Sequence, residues 1–154
     1  MSLLHKIALS CITGVGSILA RNLISYCGSP EVVFTLKKKQ LSRVPGIGPR
    51  TVELIINHKA FERAEKEFSF IEKYNIQALF LTDDTYPKRL KNCFDAPVML
   101  YFKGNADLNA GKVISVVGTR NSTEYGRDIC RILLAGLKTH DPLIISGLAY
   151  GIDF

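Results

Sequence analysis

KVISVVGTRNSTEYG, residues 112–126, runs from a β-branched segment into a glycine, an arginine and a cluster of hydroxyl side chains. The apolar residues of 112–118 do not alternate with polar ones, which predicts a buried strand of a parallel sheet. Residues 125–138 follow with Ile129, Ile132, Leu133, Leu134 and Leu137 on one helical stripe, and PLIISG, 142–147, reads as the next buried strand. Strand, helix and strand in this order make a crossover unit of an α/β fold. One crossover helix and two strands cannot cover both faces of such a sheet. The sequence, ending at GLAYGIDF, is therefore expected to be the front part of a longer α/β protein.

In a parallel sheet both loops leave at the carboxyl edge, where ligands bind. Gly118 ends the first strand and Arg120 follows with a planar fork suited to phosphate. Ser122 and Thr123 offer hydroxyls at the expected helix start. The second strand ends in Ser146 and Gly147, with Gly151 further along the same loop. Together these residues predict a rim that holds phosphate. The glycines at 118 and 126 are too far apart for a dinucleotide fingerprint, and no G-x-x-x-x-G-K-[ST] occurs, so neither an NAD or FAD site nor a P-loop ATPase is expected. No catalytic residue is assigned. Ser146 has no evident base, His140 falls at the far end of its helix, and the carboxylates Glu124, Asp128 and Asp153 do not form a metal cluster. Asp153 either binds a cation or caps a following helix, the cap being the preferred role. Tyr125 either packs against its helix or stacks on a base, with packing preferred.

The N-terminal half is different in kind. ITGVG (12–16) and VPGIG (44–48) each place an apolar residue between two glycines and run directly into an apolar-periodic helix. The pair predicts an internal duplication of a helix, a tight turn and a helix, with free amides at each second helix facing outward. Arg43, Gly46, Gly48, Arg50 and the run Lys37, Lys38, Lys39 are candidate contacts to nucleic-acid phosphates together with Arg21, the one charge near the first hairpin, which is otherwise expected to be the non-binding member of the pair. Lys37–Lys39 read equally well as a solvated loop. Residues 1–60 hold eight Lys/Arg against two Glu, within a net charge of +6 for the 154-residue chain, so a basic footprint is expected mainly there.

Residues 59–73 predict a charged amphipathic helix, 76–82 and 98–104 two strands, and the Pro-containing segment between them an irregular stretch with a short helix near Arg89–Asn92. His5 and His58 read as ordinary surface or helix residues. The four cysteines, at 11, 27, 93 and 130, lack zinc or redox spacing and are expected to be reduced and mostly buried. The apolar run at 7–20 is too short and too glycine-broken for a membrane span or signal peptide, so a soluble, cytoplasmic protein is expected, with no metal or cofactor.

Three segments, YPKRLKNCFDAPVMLYFKG (86–104), ISVVGTRNSTEYG (114–126) and SGLAYGID (146–153), resemble in order and spacing the bacterial DNA-processing DprA (Smf) family, and the paired hairpins resemble the helix-hairpin-helix region that precedes its core. The resemblance implies a helical helix-hairpin-helix (SAM-like) domain over 1–74 and the first part of a Rossmann-like core over 75–154. It implies a non-enzymatic protein that binds and protects single-stranded DNA and loads the recombinase RecA in natural transformation, and a homodimer in the full-length protein. Arg120 corresponds to an arginine of the family's DNA-binding pocket, with Gly118, Ser146 and Gly147 in the same loops, and Tyr86-Pro87 and Ala96-Pro97 correspond to scaffold. Two other readings compete: a phosphoribohydrolase-like nucleotide enzyme, and a module that docks a recombinase without touching DNA.

Overall fold

The computed structural model describes residues 2–152. The chain forms two compact units, Met1–Gly104 and Asn105–Phe154.

The first unit opens with six helices, α1 (Leu3–Ser10), α2 (Ser17–Cys27), α3 (Pro30–Thr35), α4 (Lys38–Leu41), α5 (Pro49–Ile56) and α6 (Ala60–Tyr74). The duplication is metric. Gly14 and Gly46 both take left-handed φ, 81° and 79°. The N-caps of α2 and α5, Gly16 and Gly48, share extended backbone (φ −79° and −84°). Equivalent core positions stand thirty-two residues apart along the chain: Leu9 and Leu41, Ile12 and Val44, Val15 and Ile47, Ala20 and Val52, Leu23 and Ile55 are all buried. The plug residue of each hairpin is held by one short bond, Val15 N–H to the Ile12 carbonyl and Ile47 N–H to the Val44 carbonyl, both 3.1 Å. Helix α3 goes beyond the sequence expectation; Ser29 caps it, accepting from Val32 N–H at 3.4 Å, and Pro30 occupies its first turn.

Strands β1 (Gln77–Phe80) and β2 (Met99–Phe102) pair antiparallel in this unit, with Gln77 opposite Phe102 and Phe80 opposite Met99. Between them lies α7 (Lys88–Lys91). Tyr86 is buried, and its phenol donates to the Pro97 carbonyl at 2.6 Å. Lys6 ties α1 to the turn after β1: its ammonium sits 2.6 Å from Asp83 Oδ1, while Asp83 Oδ2 accepts from Phe80 N–H at 2.9 Å.

The second unit is the crossover itself. Strand β3 (Val113–Ser115) pairs in parallel with β4 (Leu143–Ile145), and α8 (Glu124–Leu137) with a short 3-10 turn (Lys138–His140) connects them. The chain is thus α/β, a helix-hairpin-helix region followed by a small parallel sheet. The expectation of two buried strands is corrected. β4 is largely exposed, and the apolar stripe of α8 is open to solvent, Ile132 by 68%. Among the described residues this sheet has two strands and one helix, which bury too little of one another's apolar surface to close a core. The cysteines are also less buried than expected: all four are free, Cys93 is exposed, and the other three are partly so.

Candidate nucleic-acid interface

At the carboxyl edge of the parallel pair, the loops after β3 and β4 are clasped together. Ile152 N–H donates to the Thr119 carbonyl at 3.2 Å. A Cβ on Gly118 would fall 2.6 Å from Ile152 Cβ, and one on Gly126 3.2 Å from Ile152 Cδ1, so Ile152 is keyed between two glycines. Gly151, at φ +108°, lies against the backbone of Thr119 and Arg120. The close approach that Gly118 and Gly151 permit is therefore made by the neighbouring loop.

The hydroxyls expected to face a ligand have internal roles. Thr123 Oγ1 caps α8, accepting from Gly126 N–H at 3.1 Å. Ser122 Oγ accepts from Arg127 at 2.9 Å. Ser146 Oγ accepts from Leu148 N–H at 3.2 Å, in a turn where Leu148 itself holds φ 50°. Arg131 pairs with Asp128 at 2.8 Å. The guanidinium of Arg120 has no hydrogen bond or ion pair among the described residues, and it lines an open cleft of about 510 Å³ with Leu148, Ala149 and Tyr150. Tyr150 is 87% exposed. Sequence reasoning misses it, although its position between Gly147 and Gly151 is a signal for a displayed ring. Tyr125 does not pack as preferred: it is 76% exposed. Asp153 lies outside the described residues.

In the first unit the hairpins brace each other reciprocally. A Cβ on Gly14 would lie 2.7 Å from Leu54 of α5, and one on Gly46 would lie 3.3 Å from Asn22, the equivalent position of α2. Asn22 Nδ2 also donates to the Pro45 carbonyl at 3.0 Å. Neither α2 nor α5 has a side-chain N-cap, so the first-turn amides of α2, and those of Arg50 and Thr51 behind Pro49 in α5, have no side-chain cap beside the glycines. Arg43, Gly46, Gly48 and Arg50 are all exposed there, as are Lys37 and Lys39. Lys38 is different: it forms an ion pair with Glu53, and this pairing holds the Glu53 carboxyl below its ordinary range.

Two expectations about charge are corrected. Arg21 is not available to phosphate: its guanidinium donates to the carbonyls of Cys93 (2.7 Å), Phe94 (3.3 Å) and Lys91 (3.4 Å). The first hairpin is also not poor in nearby charge. Thr13 shares a cleft of about 530 Å³ with Arg50, Lys59 and Arg63, against one carboxylate, Glu53. No local signal reveals this, because Arg63 arrives through the packing of α6 on α1. His5 lies on helix α1, one of the two placements expected, and both histidines are part-buried in an aromatic cluster. His5 sits edge-on to Phe34 and Phe61, 5.2 Å from Phe61 between ring centroids, and His58 sits edge-on to Phe34 at 4.9 Å. Ala60 N–H donates to His58 Nδ1 at 3.3 Å, and burial pushes the His58 pKa down.

No helix among the described residues is long and apolar enough to cross a membrane, and no group of three or more His, Cys, Asp or Glu among them is placed to hold a metal ion.

Two family models match the chain: DNA recombination-mediator protein A over residues 77–154, and the SAM-like helix-hairpin-helix tandem over residues 7–58. Among curated proteins, the chain is 39% identical over 88 residues to the DNA processing protein DprA of Streptococcus pneumoniae, covering 57% of this chain and 29% of that protein. It is 30% identical over 156 residues to the protein Smf of Synechocystis, covering 97% of this chain and 38% of that protein. Identity to the DNA processing protein DprA of Bacillus subtilis is 38% over 79 residues, covering 51% and 27%. The chain thus spans well under half the length of these relatives.

Proposed function

The chain belongs to the DNA recombination-mediator protein A family, and we propose that it binds single-stranded DNA by its phosphates, protects it, and helps load a RecA-type recombinase during natural transformation. In this reading the protein is not an enzyme. It works in the cytoplasm, and as a homodimer when full length. The division at 74/75 into a helix-hairpin-helix domain and a Rossmann-like core accompanies the reading, supported by family matches on either side of it.

The observation that carries it is Arg120. Its neighbours Arg127 and Arg131 are engaged within their own segment, whereas Arg120 stands unpaired among the described residues at a cleft with an exposed tyrosine. A free guanidinium beside an aromatic ring suits a nucleic-acid backbone with an unstacked base. Gly118, Ser122, Ser146, Gly147 and Gly151 serve the site by shaping the loops that present it. The hairpin residues Arg43, Gly46, Gly48, Arg50, Lys37 and Lys39 supply a second phosphate surface, to which Lys38 adds little because Glu53 offsets its charge. The reading is tested by titrating labelled single-stranded and duplex DNA of equal length at two salt concentrations. Preferential binding of the single strand that weakens steeply with salt supports it; no binding by the folded chain contradicts it.

A further inference from the structure

We propose that Phe94 is a stacking platform for an unpaired nucleobase, at a site built between α2 and the loop after α7. This rests on the single-stranded DNA reading and adds a binding position outside both phosphate surfaces described above.

Phe94 is 76% exposed, the most exposed large apolar side chain among the described residues of the first unit. Most other aromatic rings there are more sheltered: Phe80 and Tyr86 lie in the core, Phe34 and Phe61 cluster with the histidines, Phe70 leans on Tyr74 at 4.4 Å, and Tyr26 and Tyr101 are about half exposed, by 49% and 47%. The backbone that carries Phe94 is held firmly. Arg21 grips three of its carbonyls, Cys93 N–H donates to Leu90 at 2.9 Å, and Ala96 is buried just beyond. A ring displayed on a fixed backbone loses little freedom when a ligand covers it.

Its surroundings suit a base on a polyanion. A cavity of about 250 Å³ lies beside the ring, lined by Ile18, Arg21, Asn22, Asn92 and Cys93 as well as Phe94. It offers apolar floor and amide groups together. The segment 88–95 carries Lys88, Arg89 and Lys91 against one carboxylate, Asp95. Asn22 connects this cavity to the second hairpin, since it both lines the cavity and donates to Pro45, one residue before Gly46. A strand whose phosphates cross the hairpin would bring a base to Phe94. Every base has a π-face, so such a platform binds without reading sequence.

The chain contains no tryptophan, so Phe94→Trp installs a sole reporter. Labelled oligothymidylate and an abasic oligomer of equal length are titrated against it, following both label anisotropy and tryptophan emission. The expected result is quenching by oligothymidylate and not by the abasic strand. Phe94→Ala and Phe94→Leu should both bind oligothymidylate about tenfold more weakly, with the salt slope unchanged. Equal weakening in the leucine variant separates stacking from simple apolar packing. If oligothymidylate binds by anisotropy while emission is unchanged and both variants bind like wild type, the platform is overturned and the DNA reading survives, leaving the patch to a protein partner. If no oligonucleotide binds the wild type, both fall.

Discussion

Gly151 and Thr119 are pressed together so closely that a Cβ on Gly151 would collide with the Thr119 carbonyl oxygen. Backbone of one loop thereby fills the space a side chain would need on the other, and Gly151 holds a φ of +108° that other residues rarely adopt. Gly151→Ala should therefore separate the loops and break the Ile152–Thr119 bond. We expect at least about tenfold weaker binding of single-stranded DNA, since a few kcal/mol of local strain must be relieved. Gly136→Ala, within α8 and outside both phosphate surfaces, is the matched control: nothing lies within 4 Å of its added Cβ. Anisotropy titrations of the two variants, with circular dichroism to confirm folding, check this.

The reciprocal bracing of the hairpins predicts a pattern of coupling. Gly14→Ala and Gly46→Ala should each destabilise the first unit by about 1–2 kcal/mol, because both positions are left-handed. Gly14→Ala should cost more, since its Cβ meets Leu54 at 2.7 Å. Truncating that neighbour, in Gly14→Ala with Leu54→Ala, should recover part of the stability, while Leu54→Ala should not help Gly46→Ala. A double-mutant cycle by urea unfolding measures the difference.

Charge reversal separates the hairpin cations. Arg43→Glu with Arg50→Glu should weaken single-strand binding and flatten its salt dependence, by about 0.7 in the log–log slope for each phosphate no longer neutralised. Lys38→Ala should do much less, since Glu53 already faces its ammonium. Affinities across a salt series decide. Unchanged slopes in the double variant would show that the hairpin surface does not bind phosphate.

Burial lowers the His58 pKa below its ordinary 6.5, and the Ala60 amide needs an unprotonated Nδ1. A histidine depressed in the folded state gives stability that is complete above the unfolded value. That stability is lost as pH falls through 6.5 toward the folded value, because the unfolded chain takes up the proton first. The urea midpoint of the wild type should fall between pH 7.5 and about 5.5, and that of His58→Gln should fall less over the same interval. Equal pH profiles would show that His58 is not the titrating group.

Much of the architecture is legible in the sequence because it rests on local signals. Glycine pairs flanking Val15 and Ile47 mark the hairpins, and the β-branched run at 113–117 with the helix after it marks the crossover. Helix α3 escapes notice although Ser29-Pro30 is a start signal, since six residues give too short a period to see. The exposure of β4 and α8 is not legible: an apolar strand declares that it wants burial, not that a covering layer is at hand. The site is legible in position and less so in role. Arg120 stands out by its phosphate-compatible fork, but the fates of Ser122, Thr123 and Arg21 depend on partners that meet them only in three dimensions. Arg21 is the clearest case, since its carbonyl acceptors at 91–94 lie about seventy residues away in a segment with no regular pattern.

In the proposed function, phosphate recognition by the second unit runs through Arg120. The most direct test compares wild type with Arg120→Ala for binding of a labelled single strand across a salt series, after both are shown to be folded. The expected result is binding weakened by about tenfold or more, with a shallower salt slope, as one charge-assisted hydrogen bond to phosphate is removed. Equal affinity and equal slope for the folded variant would contradict it.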